Sequence, residues 1–137
     1  MKALDLARKA PLIRLGDKLV DAAKAVLEGC DCVVVVDGDD VVGVVGEDDI
    51  VRAVARGATA YTPLAEVLTS PPLLVEGFEP LWKVAEAMLA TGLRVAVVTV
   101  GGRFAGVISA GDIADGEGQL REASSFAEAV LSASPPA

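Results

Sequence analysis

The octapeptide at residues 43–50, GVVGEDDI, is written again with small changes at 106–113 as GVISAGDI. A shift of 63 positions, the distance from Gly43 to Gly106, carries residues 12–50 onto 75–113 without a gap. Ala22 falls on Ala85, Gly29 on Gly92, Val34-Val35 on Val97-Val98 and Asp49-Ile50 on Asp112-Ile113. The coincidences are turn glycines, strand valines and one Asp-Ile pair, so a whole structural unit repeats rather than a short motif. No other feature narrows the possible folds as much, because the chain must be two copies of one small module. A single copy of about 50 residues buries too little apolar surface to stand comfortably alone, and pairing two copies remedies that.

Each copy reads β-α-β-β-α. An extended segment, around Pro11–Leu15 and Pro72–Val75, precedes a helix over Asp17–Leu27 and Pro80–Ala90. Leu19, Ala22, Ala23, Val26 and Leu27 recur at helical spacing in the first helix, and Leu81, Val84, Ala85, Met88 and Leu89 in the second. Asp17 suits an N-cap or first-turn acid, Pro80 suits the first helical turn, and Gly29 and Gly92 stand where the helices should end. A valine-rich hairpin follows: Val33–Val36 into Val41–Val45, and Val95–Val100 through Gly101-Gly102 into Phe104–Ile108. A second helix closes each copy, over Asp48–Arg56 and Gly111–Asp115. The predicted fold class is α+β, with two tandem units at 3–58 and 64–117 related by a pseudo-two-fold axis and packed through their sheets. Residues 118–137 are expected to form a short C-terminal helix or a disordered tail.

Composition removes several functional classes. The chain of 137 residues carries a net charge of −8, which disfavours a nucleic-acid partner but not a small anion held by local cations. It contains no histidine, so the commonest general base, the commonest metal ligand and every Ser-His or Cys-His nucleophile system are missing. Neither catalytic residues nor metal ligands are expected, and the chain is read as a non-enzyme. Asp37, Asp39, Asp40 and Glu47–Asp49 do not have the spacing of a calcium loop and read as solvated turns. Cys30 and Cys32 are too few for a zinc site and too close for an unstrained bridge. The valine-rich run at 32–45 is interrupted by aspartates and the N-terminus has no secretion-signal pattern, so a cytoplasmic protein without a membrane partner is expected.

With the repeat and its end motif in place, the chain resembles a tandem pair of CBS domains, also called a Bateman module, over residues 3–115. Copies in that family end in G-h-h-S/T-x-x-D-h, where h is apolar. Gly106 to Ile113 fits throughout, whereas Gly43 to Ile50 places Gly46 where the hydroxyl residue belongs. The resemblance implies an adenosine nucleotide in the cleft between copies, AMP first, with ADP, ATP or an S-adenosyl compound as alternatives. It implies a regulatory sensor that forms a homodimer and acts on a separate effector protein. Val51, Val54 and Ala55 give the helix after the first hairpin an apolar side suited to dimerisation.

The resemblance also assigns roles. Asp112 takes the ribose hydroxyls, Ser109 and the backbone near Gly111 face the ribose or phosphate, and Val95 and Val107 flank the adenine. Arg94 stands before the second hairpin, where nucleotide-binding members carry a phosphate-binding arginine, and the first copy has Asp31 at the matching place. A carboxylate there repels phosphate, by about 1–4 kcal/mol at contact distance near a surface. The expected site is therefore built on the second copy, with Leu4, Lys9, Ala10, Gly29 and Cys30 contributing from elsewhere. The Gly46–Asp49 site is expected to be degenerate. Two bland readings compete: Ser109 and Asp112 as a helix cap, and the whole chain as a ligand-free interaction scaffold.

Overall fold

The computed structural model describes residues 1–115 and 129–132. The chain divides into two compact units, one of residues 10–72 and one of residues 1–9 together with 73–137. The units do not coincide with the sequence copies. The first nine residues lead into the first copy along the chain but pack with the second.

In the 10–72 unit, β1 (Leu12–Arg14) runs parallel to β2 (Cys32–Asp37), which pairs antiparallel with β3 (Asp40–Gly46), giving the order β1-β2-β3. α2 (Leu19–Leu27) links the first two strands, α3 (Glu47–Ala55) follows the third, and a single turn, α4 (Leu64–Val67), closes the unit. Val33, Val35 and Val45 point one way along their strands and pack with Leu19, Ala22, Leu64 and Val67. The period-2 alternation of the hairpin and the helical stripe of α2 thus meet in one small apolar core.

The other unit repeats this plan. β4 (Leu73–Glu76), β5 (Val95–Val100) and β6 (Arg103–Ser109) form a sheet in the order β4-β5-β6, with β4 parallel to β5 and β5 antiparallel to β6. α5 (Leu81–Thr91) and α6 (Ala110–Asp115) cover it, and the single turn α1 (Ala3–Leu6) completes the core from the start of the chain. Ala3, Leu81, Val84, Met88, Ala96, Val98, Ile108 and Ile113 are buried together. Both β5–β6 turn glycines have positive φ, +59° at Gly101 and +79° at Gly102, as a two-residue hairpin with right-handed twist requires. Of the tail, residues 129–132 are helical and Val130 joins this core; the rest of the expected tail lies outside the described residues.

The strand pairing corrects the gapless register. Leu12 pairs with Val34 and Leu74 with Val97, so the leading strands correspond at 62 positions while the hairpins correspond at 63. The helices agree with the shorter offset: α2 buries Leu19, Ala22 and Val26 where α5 buries Leu81, Val84 and Met88. The extra residue belongs to the longer α5, which ends on Gly92 at φ +74° with its N–H bonded to the Met88 carbonyl at 2.8 Å. Leu27 and Leu89, both expected on the buried stripes, are instead exposed at matching places on their helices. Asp17 is not the N-cap of α2. Lys18 holds that position, and Asp17 accepts the Arg14 N–H at 2.9 Å to close the turn after β1.

Candidate functional site

The second copy's end motif sits where β6 hands over to α6. Val95 pairs with Ser109 across the ladder, and the Ala110 N–H donates to the Arg94 carbonyl at 2.9 Å. Two motif residues, Ser109 and Ala110, are thereby fixed by backbone alone. Ser109 and Asp112 then bond reciprocally: the Ser109 N–H donates to Asp112 Oδ2 at 2.8 Å and the Asp112 N–H to Ser109 Oγ at 3.0 Å. This is a capping box, and it accounts for both side chains without any ligand.

Arg8 adds a third partner. Its Nε donates to the same Oδ2 at 3.0 Å, with side chains 32% and 28% exposed for Arg8 and Asp112. Oδ2 therefore receives the Ser109 N–H and the guanidinium, while Oδ1 accepts no hydrogen bond among the described residues. Arg8 is itself anchored to the sheet. Its N–H donates to the Val107 carbonyl, and its carbonyl accepts the Val107 N–H, both at 2.9 Å. The close approach needs Gly106, since a Cβ there would lie 2.7 Å from the Arg8 carbonyl oxygen.

The remaining expected residues are placed as follows. Arg94 is exposed, Val95 is half-buried, and Gly111 lies in the first turn of α6. Val107 is fully buried, its backbone engaged by Arg8. Leu4 is exposed on α1 and Lys9 is exposed after it, both in the unit that holds Asp112. Ala10, Gly29 and Cys30 belong to the 10–72 unit, where Cys30 Sγ donates to the Ala25 carbonyl at 2.7 Å. Cys30 and the buried Cys32 form no disulfide.

The first copy's counterpart differs in chemistry. Asp49 Oδ2 accepts the Gly46 N–H at 2.8 Å, but Gly46 has no hydroxyl to return the bond. Asp49 Oδ1 faces Arg52 Nη1 at 3.6 Å, so both carboxylate oxygens have partners, one at the end of β3 and one on α3. Ala7 and Leu68 are the C-caps of α1 and α4, which makes Thr69 the structural counterpart of Arg8. Arg8 was invisible to the sequence comparison for that reason: it lies outside the aligned repeat, and only the packing of residues 1–9 with the second copy brings it to Asp112. Among the described residues, no group of three or more His, Cys, Asp and Glu side chains is arranged to hold a metal ion. No helix among them is long and apolar enough to cross a membrane.

Fold and site together define a class: a tandem α+β repeat whose two units each end a hairpin on an aspartate-capped helix. The chain belongs to the CBS domain family, whose model matches residues 3–56 and again residues 64–116. A CBS domain protein of Pyrobaculum aerophilum complexed with AMP is 23% identical, with a TM-score of 0.80 over 91% of this chain and 98% of that one. A putative signal-transduction protein with CBS domains from Burkholderia ambifaria is 27% identical, with a TM-score of 0.73 over 85% of this chain and 97% of that one. A CBS domain protein of unknown function from Thermoplasma acidophilum is 20% identical, with a TM-score of 0.80 over 96% of this chain and 76% of that one. A comparison with curated proteins gave no match.

Proposed function

We propose that this chain binds an adenosine nucleotide, AMP by preference, at the Asp112 site and serves as a cytoplasmic regulatory module acting through a partner protein. The observation that carries this reading is the state of the Asp112 carboxylate. One oxygen is fixed by the Ser109 N–H and Arg8, and the other accepts no bond among the described residues. A carboxylate so held suits a ribose diol, because it can accept hydroxyl protons without first losing a partner. Arg94, adjoining the same strand end, supplies a guanidinium for the phosphate. The AMP-complexed relative from Pyrobaculum aerophilum supports the choice of ligand class. No catalytic step is proposed, since a cap, two guanidinium groups and an aspartate offer neither an activated nucleophile nor a general base poised beside one.

A second reading has its own support. The reciprocal Ser109–Asp112 cap explains the motif structurally, and α3 buries none of its residues, with Val51 67% exposed and Val54 57% exposed. A ligand-free scaffold that pairs through α3 as a homodimer would use both features.

Calorimetric titration with AMP, ADP, ATP and S-adenosylmethionine separates the readings. Heat with AMP, weakened at least about tenfold by Asp112→Ala and reduced by Arg94→Ala but unaffected by Asp49→Ala, is the outcome expected of the sensor. Silence from all four ligands selects the scaffold. Loss of binding in Asp49→Ala alone would move the site to the first copy.

A further inference from the structure

We propose that Arg8 is a positioning residue of the nucleotide site: it holds Oδ2 of Asp112 so that Oδ1 is presented to the ribose hydroxyls. The inference rests on the nucleotide reading above and names the residue that tunes it. Three independent contacts set Arg8 in place before any ligand arrives. Its N–H and carbonyl bond both ways to Val107, the absence of a side chain on Gly106 admits its carbonyl, and its Nε reaches Asp112 Oδ2 at 3.0 Å. A carboxylate oxygen has two lone pairs, and here the Ser109 N–H and Arg8 Nε address both. Rotation of Asp112 about its terminal bond would break two bonds at once, so the orientation of Oδ1 is prepaid by the protein rather than by the ligand. Asp49 shows what the same position looks like without such a support. Thr69 takes the place of Arg8, and the Asp49 carboxylate leans towards Arg52 on its own helix.

A residue that acts through Asp112 on the ribose makes a specific demand on ligand discrimination. Calorimetric titration of AMP and 2′-deoxy-AMP into the full chain and its Arg8→Ala and Arg8→Lys variants tests it. The wild-type protein is expected to prefer AMP by roughly tenfold, and Arg8→Ala to weaken AMP by roughly 3–10-fold while leaving 2′-deoxy-AMP near its wild-type affinity. The ribose preference therefore collapses, and Arg8→Lys restores part of it by returning a charged donor. An unchanged preference in Arg8→Ala overturns the proposal. So does an equal loss for both ligands, which marks a phosphate contact or a general structural role, and so does tighter AMP binding, which marks a competitor for Asp112. A wild-type protein without ribose preference overturns it too. If Arg8→Ala does not fold, Arg8→Gln keeps a side-chain donor without the charge and is read by the same ratio. Wild-type protein that binds no AMP at millimolar concentration refutes the nucleotide reading itself, and this inference falls with it.

Discussion

At the scale of the residue, the two copies differ by what they place before an aspartate. Ser109 gives its helix a full reciprocal cap, and Gly46 gives α3 only the half supplied by Asp49. There is room to repair this: a Cβ on Gly46 would meet nothing closer than the Asp31 carbonyl oxygen at 3.5 Å, and its φ of −110° is open to any residue. Gly46→Ser is expected to stabilise the chain by a few tenths to about 1 kcal/mol, through the added cap and a less flexible unfolded chain. Chemical denaturation with an unchanged m-value checks this; a loss of stability would show that the serine hydroxyl does not reach the Asp49 N–H. The substitution restores the family motif but is not expected to create a second nucleotide site, because Asp31 still stands where Arg94 stands and Arg52 still faces Asp49.

At the scale of the element, each hairpin carries a bulge and a close-approach glycine at matching places. The register shifts between Val35 and Val36 opposite Gly43 and Val41, and between Val98 and Thr99 opposite Gly106 and Phe104. The two glycines face different neighbours. A Cβ on Gly43 would meet the Leu68 side chain, whose methyl end can turn away, whereas a Cβ on Gly106 would meet the Arg8 backbone at 2.7 Å. Backbone held in a two-way bridge cannot yield in the same way. Gly106→Ala is therefore expected to cost about 1–3 kcal/mol, and more than Gly43→Ala, as measured by the fall in Tm of each variant. Equal losses would mean that the Arg8 bridge gives way easily. Elements of this kind explain how much the sequence could disclose. The hairpins, their turns and the two long helices are legible because valine alternation, Gly-Gly and helical stripes are local signals. α1 and α4 are single turns without periodicity, and the residue that separates α5 from α2 leaves no mark beside so many small apolar residues. Asp112 and Ser109 are legible through the motif, but Arg8 is not, since no local pattern tells a chain which copy its first residues will join.

At the scale of the whole molecule, this assignment of the first nine residues has a consequence that the order of the chain would reverse. Only Ala10 and Pro11 separate Met1–Lys9 from β1, so removal of residues 1–8 would be expected from sequence to damage the 10–72 unit. The contacts place the damage elsewhere. Ala3 is fully buried in the core with Val75, Leu81 and Ile108. Ala3 and Leu4 donate to the carbonyls of Glu79 and Gly77 at 2.8 and 3.0 Å, and Val107 exchanges two bonds with Arg8. Each lost backbone bond is worth about 0.5–1.5 kcal/mol, with a further penalty where a buried group is left unpaired. The truncated chain is therefore expected to exchange the Val107 amide hydrogen at least roughly 30-fold faster, equivalent to about 2 kcal/mol of lost local stability. The amides of Leu19 and Val34, bonded to Thr62 and Pro11 inside the 10–72 unit, should keep their protection. Hydrogen exchange with fragment resolution decides the matter. Loss of protection at Val34 rather than Val107 would mean that the first residues support the unit they precede. Loss at Val107 would mean that the residue steadying the candidate site, Arg8, is delivered by a segment whose folding partner lies more than a full copy further along the chain.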